Sequence, residues 1–157
     1  MIFAYSLVVC HDISQLYPSK KVLRYASMIG YPMTLLPFII LPMRYEPTVS
    51  APVIPALIIG FSLLLVYSIC IELMIFAPKD GRSYQRGTHG FSRHPGWLWY
   101  TAMHILLGIR YGYPEAASLM LLCILLNLVV IILEDRWIFP TVFCDYDEYK
   151  QRVRFLL

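Results

Sequence analysis

The sequence has few charged residues and no paired cysteines. Charged side chains make up 15% of its 157 residues, whereas soluble domains have roughly 25%. The four cysteines, at positions 10, 70, 123 and 144, form no C-x-x-C motif and indicate neither a disulfide framework nor a zinc site. The low charge therefore argues against a soluble enzyme, and we expect no metal centre. There is no internal repeat or low-complexity run, so we predict a single domain, residues 1–157.

Long apolar segments take the place of charge. About 20 apolar residues cross the hydrocarbon core of a bilayer as a helix. The candidate spans are approximately residues 25–42, 53–76, 97–113 and 116–133. The first should kink at Pro32 and Pro37, and the third is the weakest because it contains His104 and Arg110. The pattern predicts an all-α, polytopic membrane helical bundle of about four transmembrane helices.

Positive charge is distributed unevenly between the two sides of such a bundle. Of 13 lysines and arginines, only Arg44 and Arg110 fall on one side. The other side collects Lys20, Lys21, Arg24, Lys79, Arg82, Arg86, Arg93, Arg136, Lys150, Arg152 and Arg154. The positive-inside rule places this side, with both termini and the 77–96 loop, in the cytoplasm. The net charge of +3 then reflects a membrane face, and no nucleic-acid partner is expected.

Two terminal segments lie outside the four candidate spans. Met1–Cys10 is apolar but too short to cross, and it lacks the features of a signal peptide. It predicts an interfacial or half-inserted helix, or part of a further span. After the last span, Asp145 and Glu148 have the spacing of a capping box. They predict a short C-terminal cytoplasmic helix with Tyr146 and Tyr149 on one face.

Polar residues gather at the cytoplasmic ends of the last two spans. Arg93 and His94 precede Pro95, which suits the first turn of a helix. They are either a basic cap for lipid headgroups or part of a binding site. Glu134 and Asp135 follow an uncharged span directly, and carboxylates there are costly unless paired. They either pair with nearby arginines or hold a cation or the hydroxyls of a ribose.

Two ionisable residues lie within candidate spans. Glu72 is about one turn inside its span, where an ionisable group is a functional hypothesis by default. His104 is mid-span and is expected to be hydrogen-bonded within the bundle. It is the one histidine clearly at membrane depth, so a haem or redox membrane subunit is a weaker alternative.

The C-terminal half resembles the isoprenylcysteine carboxyl methyltransferase family, which is similar to the phospholipid N-methyltransferases. The resemblance covers about residues 84–154 and rests on separate motifs in the family's order. These are Gly87, then Arg93-His94-Pro95, a span, Glu134-Asp135, and a tail with Tyr146, Tyr149 and Val153. The chain departs from the family pattern at Trp97 (Tyr in the family), Trp99 (Gly), Asp135 (Glu) and Val142-Phe143 (Phe-Gly).

The resemblance implies an enzyme that uses S-adenosylmethionine as methyl donor. It implies a cytoplasmic pocket walled by the last two spans and the tail, with a lipid-like or isoprenylated small-molecule acceptor entering from the membrane. The matching positions imply His94, Pro95, Trp97, Glu134 and Asp135 as cofactor-binding residues. Arg93 and Glu134 are the candidate catalytic residues. The main alternative is a non-catalytic membrane protein of the same fold that binds lipid or a partner.

Overall fold

Helices form the secondary structure of this computed structural model, and no strand occurs in the described residues, 1–17, 25–78 and 80–157. Of the residues used for the predicted topology, Lys20, Lys21, Arg24 and Lys79 lie outside these ranges. In the described chain the helices are α1 (Ile2–Leu16), α2 (Ala26–Thr34), α3 (Pro37–Arg44), α4 (Val53–Val66), α5 (Pro95–Tyr111), α6 (Pro114–Leu133), α7 (Phe139–Val142) and α8 (Tyr146–Arg152). The prediction of an all-α fold is confirmed.

Prolines define several helix boundaries. Pro37, Pro95 and Pro114 each occupy the first turn of a helix, where the missing N–H has no intrahelical partner to lose. The predicted kink in the first apolar segment is confirmed as a break between α2 and α3. Pro37 has no backbone N–H and cannot donate a helical hydrogen bond. The backbone hydrogen bonds there join residues three positions apart, such as Phe38 N–H to the Leu35 carbonyl.

Two of the long helices continue as π-helical turns. Tyr67–Phe76 extends α4, and Glu134–Ile138 joins α6 to α7. Within the described residues, the two resulting helices, Val53–Phe76 and Pro114–Val142, are long and apolar enough to cross a membrane. This is fewer than the four predicted spans. Met28–Arg44 is a shorter apolar segment. Helix α5 is also shorter, with 17 residues.

The N-terminal helix packs into the bundle. It extends to Leu16, beyond the predicted Met1–Cys10, and lies against α2 and α6. Ala4, Tyr5 and Val8 are buried on one face. The Tyr5 hydroxyl hydrogen-bonds the Tyr100 hydroxyl of α5 and donates to the Cys123 carbonyl at 3.0 Å. These contacts exclude a helix that only rests on the bundle surface.

The α5–α6 hairpin brings two distant motifs to the same end of the bundle. Gly112 turns the chain between the helices with a φ of 61°, a conformation that favours glycine. The helices then run antiparallel in contact with each other. The start of α5 therefore lies beside the end of α6.

Candidate functional site

The predicted basic and acidic motifs meet where α5 begins and α6 ends. Arg93 Nε lies 3.2 Å from Asp135 Oδ1, and His94 Nε2 lies 3.4 Å from the same oxygen. On the other ring edge, His94 Nδ1 is 3.7 Å from Glu134 Oε2. The structure thus brings together Arg93, His94, Glu134 and Asp135. We call these four residues the ion cluster.

Asp135 is held by groups from three parts of the chain. Besides Arg93, it accepts a 2.7 Å hydrogen bond from the Tyr146 hydroxyl and lies 3.9 Å from Lys150 Nζ. Its side chain is 10% exposed. Of the nearby arginines, Arg93 pairs with Asp135, whereas Arg136 is exposed. A carboxylate so surrounded has a structural role, because removing it would leave the largely buried Arg93 guanidinium unpaired.

His94 is buried between aromatic rings. Phe139 stacks on its imidazole at 5.7 Å between centroids, and Phe155 meets it edge-on at 5.1 Å. Burial lowers the pKa of His94 and outweighs the nearby Asp135 carboxylate, which raises it. The imidazole is therefore neutral near pH 7, available as a hydrogen-bond donor and acceptor.

Pro95 and Trp97 continue the site along the first turn of α5. Pro95 is fully buried and opens the helix as predicted. The Trp97 indole N–H is buried and has no hydrogen-bond partner among the described residues. It is a donor within one helical turn of His94.

A carboxylate from the N-terminal helix joins this region. Asp12 of α1 is 3% exposed, and α1 contacts the π-helical turn that carries Glu134. Sequence reasoning did not single out Asp12. A lone acid late in an apolar helix carries no motif, and the turn that its helix contacts lies in a distant part of the chain.

A second polar cluster lies beside the first, around Glu72. Glu72 is fully buried. Its carboxylate accepts hydrogen bonds from the Thr88 backbone N–H at 2.9 Å, from the Thr88 hydroxyl, and from His89 Nδ1 at 3.0 Å. Glu72 thus anchors the 3₁₀ turn Gly87–Gly90, and the hypothesis that it is functional stays a prediction.

The C-terminal segment links the two clusters. Tyr149 donates a 2.7 Å hydrogen bond to the His89 carbonyl, while Tyr146 reaches Asp135. The Arg93 backbone N–H donates to the Arg154 carbonyl at 3.0 Å. The predicted short helix is confirmed as α8, with both tyrosines buried on one face. It covers the site from the cytoplasmic side of the predicted topology.

Both clusters place their acids on π-helical turns. Glu72 lies in Tyr67–Phe76, and Glu134 with Asp135 begins Glu134–Ile138. Such turns are rare and occur frequently at functional sites. Sequence offered no signal for them.

A groove of about 750 Å³ opens nearby, between the 82–86 segment and the outer face of α8. Arg82, Arg86, Asp145 and Arg152 are among the residues that line it. None of the predicted site residues does. The groove therefore does not include the ion cluster.

The residues at the ion cluster fit the polar groups of S-adenosylmethionine. Buried polar atoms without a hydrogen-bond partner in the described chain collect here. They are the Trp97 indole N–H, a donor, and Asp12 Oδ2, an acceptor. Donors suit the cofactor's carboxylate, and the acids Asp12 and Glu134 suit its ammonium or ribose hydroxyls. A ligand would complete these hydrogen bonds.

His104 is placed as expected for a structural histidine. It is fully buried, its Nδ1 lies 2.8 Å from the Tyr100 carbonyl, and the rings of Phe38 and Tyr100 pack against it. The imidazole is thus held by one backbone hydrogen bond and by ring packing, and its Nε2 atom is buried without a hydrogen-bond partner among the described residues. The described residues also contain no group of three or more His, Cys, Asp or Glu able to hold a metal.

No family model, curated protein or solved structure matches the chain. The resemblance inferred from the sequence motifs stays a prediction.

Proposed function

We propose that the protein is an S-adenosylmethionine-dependent membrane methyltransferase that acts on a lipid-like or isoprenylated acceptor at the cytoplasmic membrane face. The observation that carries the proposal is the meeting of Arg93-His94 with Glu134-Asp135 beneath Tyr146. Motifs some forty positions apart in the sequence form one buried polar site.

The membrane placement rests on apolar surface. In the most apolar windows of Val53–Phe76 and Pro114–Val142, only 11% and 28% of residues are buried within the protein. Side chains such as Leu63 and Met74 are more than half exposed. Apolar helices whose side chains stay exposed in the folded protein require an apolar environment around them. We assign that surrounding as lipid.

We further propose four spans with both termini cytoplasmic. A 17-residue α5 is about 26 Å long, close to the thickness of a bilayer core of about 30 Å. Arg44 and Arg110, the two arginines of the predicted outer side, lie at or near the ends of α3 and α5. The Val49 N–H donates a hydrogen bond to the Arg110 carbonyl, which joins the end of α5 to the segment between α3 and α4. The ion cluster is at the opposite end of α5.

In this assignment the cofactor supplies the methyl group from a sulfonium centre, and the protein mainly positions it. His94, Pro95, Trp97, Glu134 and Asp135 are the cofactor-binding residues. Arg93 and Glu134 are the candidate catalytic residues. Correct orientation of the reactants can lower the activation free energy of such a displacement by about 7–11 kcal/mol.

The acceptor enters sideways from the bilayer, between α5 and a neighbouring helix. At this face of α5, Gly96 lies against Leu65 of α4 and Ile69 of its π-helical continuation, and an added Cβ would meet both at ordinary contact distance. Turnover should therefore require a hydrophobic tail on the acceptor.

The test is methyl transfer from labelled S-adenosylmethionine in detergent micelles. An S-isoprenylated cysteine and an amine phospholipid are each compared with their water-soluble headgroup analogue. We expect one lipidated acceptor to be methylated and its soluble analogue not. Equal turnover of the two forms would contradict lateral entry, and no turnover of any acceptor would contradict the activity.

The second candidate is a non-catalytic membrane protein of the same fold. It is favoured by the saturation of Asp135, which Arg93, Lys150 and Tyr146 already engage. In this case Asp135→Asn lowers the unfolding temperature while the parent protein fails to bind S-adenosylhomocysteine.

A further inference from the structure

The groove beside α8 is a second candidate binding site. One wall is the 82–86 segment, and the other is formed by residues 144–152, which include α8. Its volume of about 750 Å³ falls in the range of pockets that take small-molecule ligands, about 300–1,000 Å³. The groove therefore has room for the headgroup of a lipid.

Hydrogen bonds join the two walls. The Ser83 N–H donates to Asp145 Oδ1 at 2.7 Å, and Gln85 Nε2 donates to Asp145 Oδ2 at 2.9 Å. Next to them, the Cys144 N–H donates to the Gly81 carbonyl at 3.0 Å. Because these bonds fix the walls relative to each other, the groove is preformed, as most ligand sites are.

Arginines give the groove its charge. Arg82, Arg86 and Arg152 line it, against the two acids Asp145 and Glu148. Both oxygens of the Asp145 carboxylate are already occupied by the bonds between the walls. The Glu148 side chain is 79% exposed, so water screens its charge. The groove is therefore net positive, which suits an anionic ligand.

The arginines are available for such a ligand. All ten acids of the chain lie within the described residues, and none of them forms an ion pair with Arg86 there. Arg82 lies 3.7 Å from Asp80, and Arg152 lies 3.9 Å from Glu148, with the side chains of both pairs exposed. Exposed pairs of this kind contribute little to stability, so both arginines can turn to a ligand at small cost.

The apolar end of the groove meets the proposed membrane. Phe76 and Pro78 line it together with the arginines. Phe76 is the last residue of the apolar helix Val53–Phe76 and is 59% exposed. In the proposed topology this end of the helix lies at the cytoplasmic surface of the bilayer. The groove thus presents arginines and apolar side chains at the depth where a phospholipid has its phosphate and glycerol.

We propose that the groove binds the phosphate of an anionic phospholipid, with Arg86 and Arg152 as its ligands from opposite walls. A guanidinium donates two parallel hydrogen bonds to a phosphate, which makes arginine well suited to such sites. The Phe76 ring then packs against the glycerol and the first acyl carbons. The inference rests on the proposed membrane placement but not on methyl transfer, because none of the proposed cofactor-binding residues lines the groove.

Lipid titration of the full-length protein in a neutral detergent, followed by native mass spectrometry, tests the proposal. Dioleoyl phosphatidylglycerol should bind more tightly than dioleoyl phosphatidylcholine, which has the same acyl chains and no net charge. Arg86→Gln should weaken binding of the anionic lipid about fivefold, the contribution of one basic side chain near an anionic membrane surface. Arg136→Gln is the matched control, because Arg136 is exposed on the same proposed side but does not line the groove. It should bind the lipid like the parent.

Two outcomes would overturn the groove as the site. The first is equal affinity of the parent for the two lipids. The second is an equal loss of affinity in Arg86→Gln and Arg136→Gln, which would show that the charge of the whole face attracts lipid. If Arg86→Gln melts below the parent, Arg152→Gln repeats the comparison from α8 and should also bind about fivefold more weakly.

Soluble competitors distinguish a lipid from a free phosphate. Inorganic phosphate and glycerol 3-phosphate, added at the concentration at which the lipid saturates the protein, should not displace phosphatidylglycerol. Displacement by either would overturn the lipid as the occupant. These titrations involve no methyl donor, so a failure of the groove proposal and a failure of the proposed methyl transfer are separate results.

Discussion

At the scale of single residues, Glu72 leaves no room for a side chain at position 87. Gly87 has a φ of 58°, and an added Cβ would collide with the Glu72 carboxylate. Gly87→Ala should therefore destabilise the protein by about 3 kcal/mol, through backbone strain together with the displaced carboxylate. The measurement is the thermal unfolding midpoint in detergent.

Gly81→Ala is the matched control for this prediction. Gly81 also has a positive φ, of 80°, but an added Cβ there meets nothing within 4 Å. It should show only the backbone strain, about 1–2 kcal/mol. Equal effects of the two substitutions would mean that contact with Glu72 contributes nothing.

Asp135 gives a second prediction at this scale. Asp135→Asn leaves Arg93 and Lys150 without their carboxylate, so stability should fall by about 3 kcal/mol. Asp80→Asn breaks an exposed pair with Arg82, 3.7 Å long, and should cost less than about 1 kcal/mol. Chemical denaturation of both variants in the same detergent measures the difference. If they unfold alike, the charge of Asp135 has no structural role.

Single-residue pairings were predictable only where chain geometry fixed them. The Arg93–Asp135 pair follows from two antiparallel helices whose ends are joined by a short turn. The sequence also marked Glu72 as functional, because an acid inside an apolar segment needs a partner. It did not name Thr88 and His89, since a loop conformation decides which donors reach the carboxylate. Asp12 was missed because helix packing alone brings α1 to the turn that carries Glu134.

At the scale of elements, α8 is held to the 77–94 segment by Asp145. Asp145 occupies the N-cap position of α8 as its spacing from Glu148 predicted, but the capping-box hydrogen bond is absent, since the Asp145 side chain makes no cap bond to the N-terminus of α8. Its Oδ1 instead accepts the Ser83 N–H at 2.7 Å, and its Oδ2 accepts Gln85 Nε2 at 2.9 Å. Burial alone would raise the pKa of Asp145, but the hydrogen bonds from Ser83 lower it below its usual value. The Asp145 carboxylate therefore binds Ser83 and Gln85 instead of the backbone of α8. The spacing of residues in the sequence does not reveal this choice.

Asp145→Ala should release α8 from that segment. Losing hydrogen bonds to a charged but partly solvated group should cost about 1–2 kcal/mol and increase proteolysis within residues 77–94. Asp147→Ala, exposed in the same helix turn, should cost only a few tenths of a kcal/mol. Limited proteolysis with mass spectrometry locates the cleavage. Protection of the segment in Asp145→Ala would show that other contacts hold the helix.

Helix boundaries set by proline were the most predictable elements. Pro37 and Pro95 act through covalent constraints that operate wherever the chain goes. The π-helical turns and the packing of α1 depend on tertiary contacts and so were not predicted.

At the scale of the whole molecule, the proposed topology separates Thr48 from Arg82. Both positions are exposed, and they lie on opposite sides of the proposed membrane. In intact cells, with Cys70 and Cys144 replaced by serine, Thr48→Cys should react with a membrane-impermeant thiol reagent and Arg82→Cys should react only after permeabilisation. The reverse pattern would invert the topology and remove the cytoplasmic cofactor site.

The central claim is that the ion cluster binds S-adenosylmethionine through Glu134. Calorimetric titration with S-adenosylhomocysteine tests it most directly, because it requires no knowledge of the acceptor. The account predicts a saturable site in the parent, unchanged affinity in Asp147→Asn, and an affinity about tenfold lower in Glu134→Gln, or about 1.4 kcal/mol. His94→Ala should also bind more weakly while melting as a folded protein. Parent and Glu134→Gln proteins that are equally folded and bind the ligand equally, or not at all, would contradict the claim.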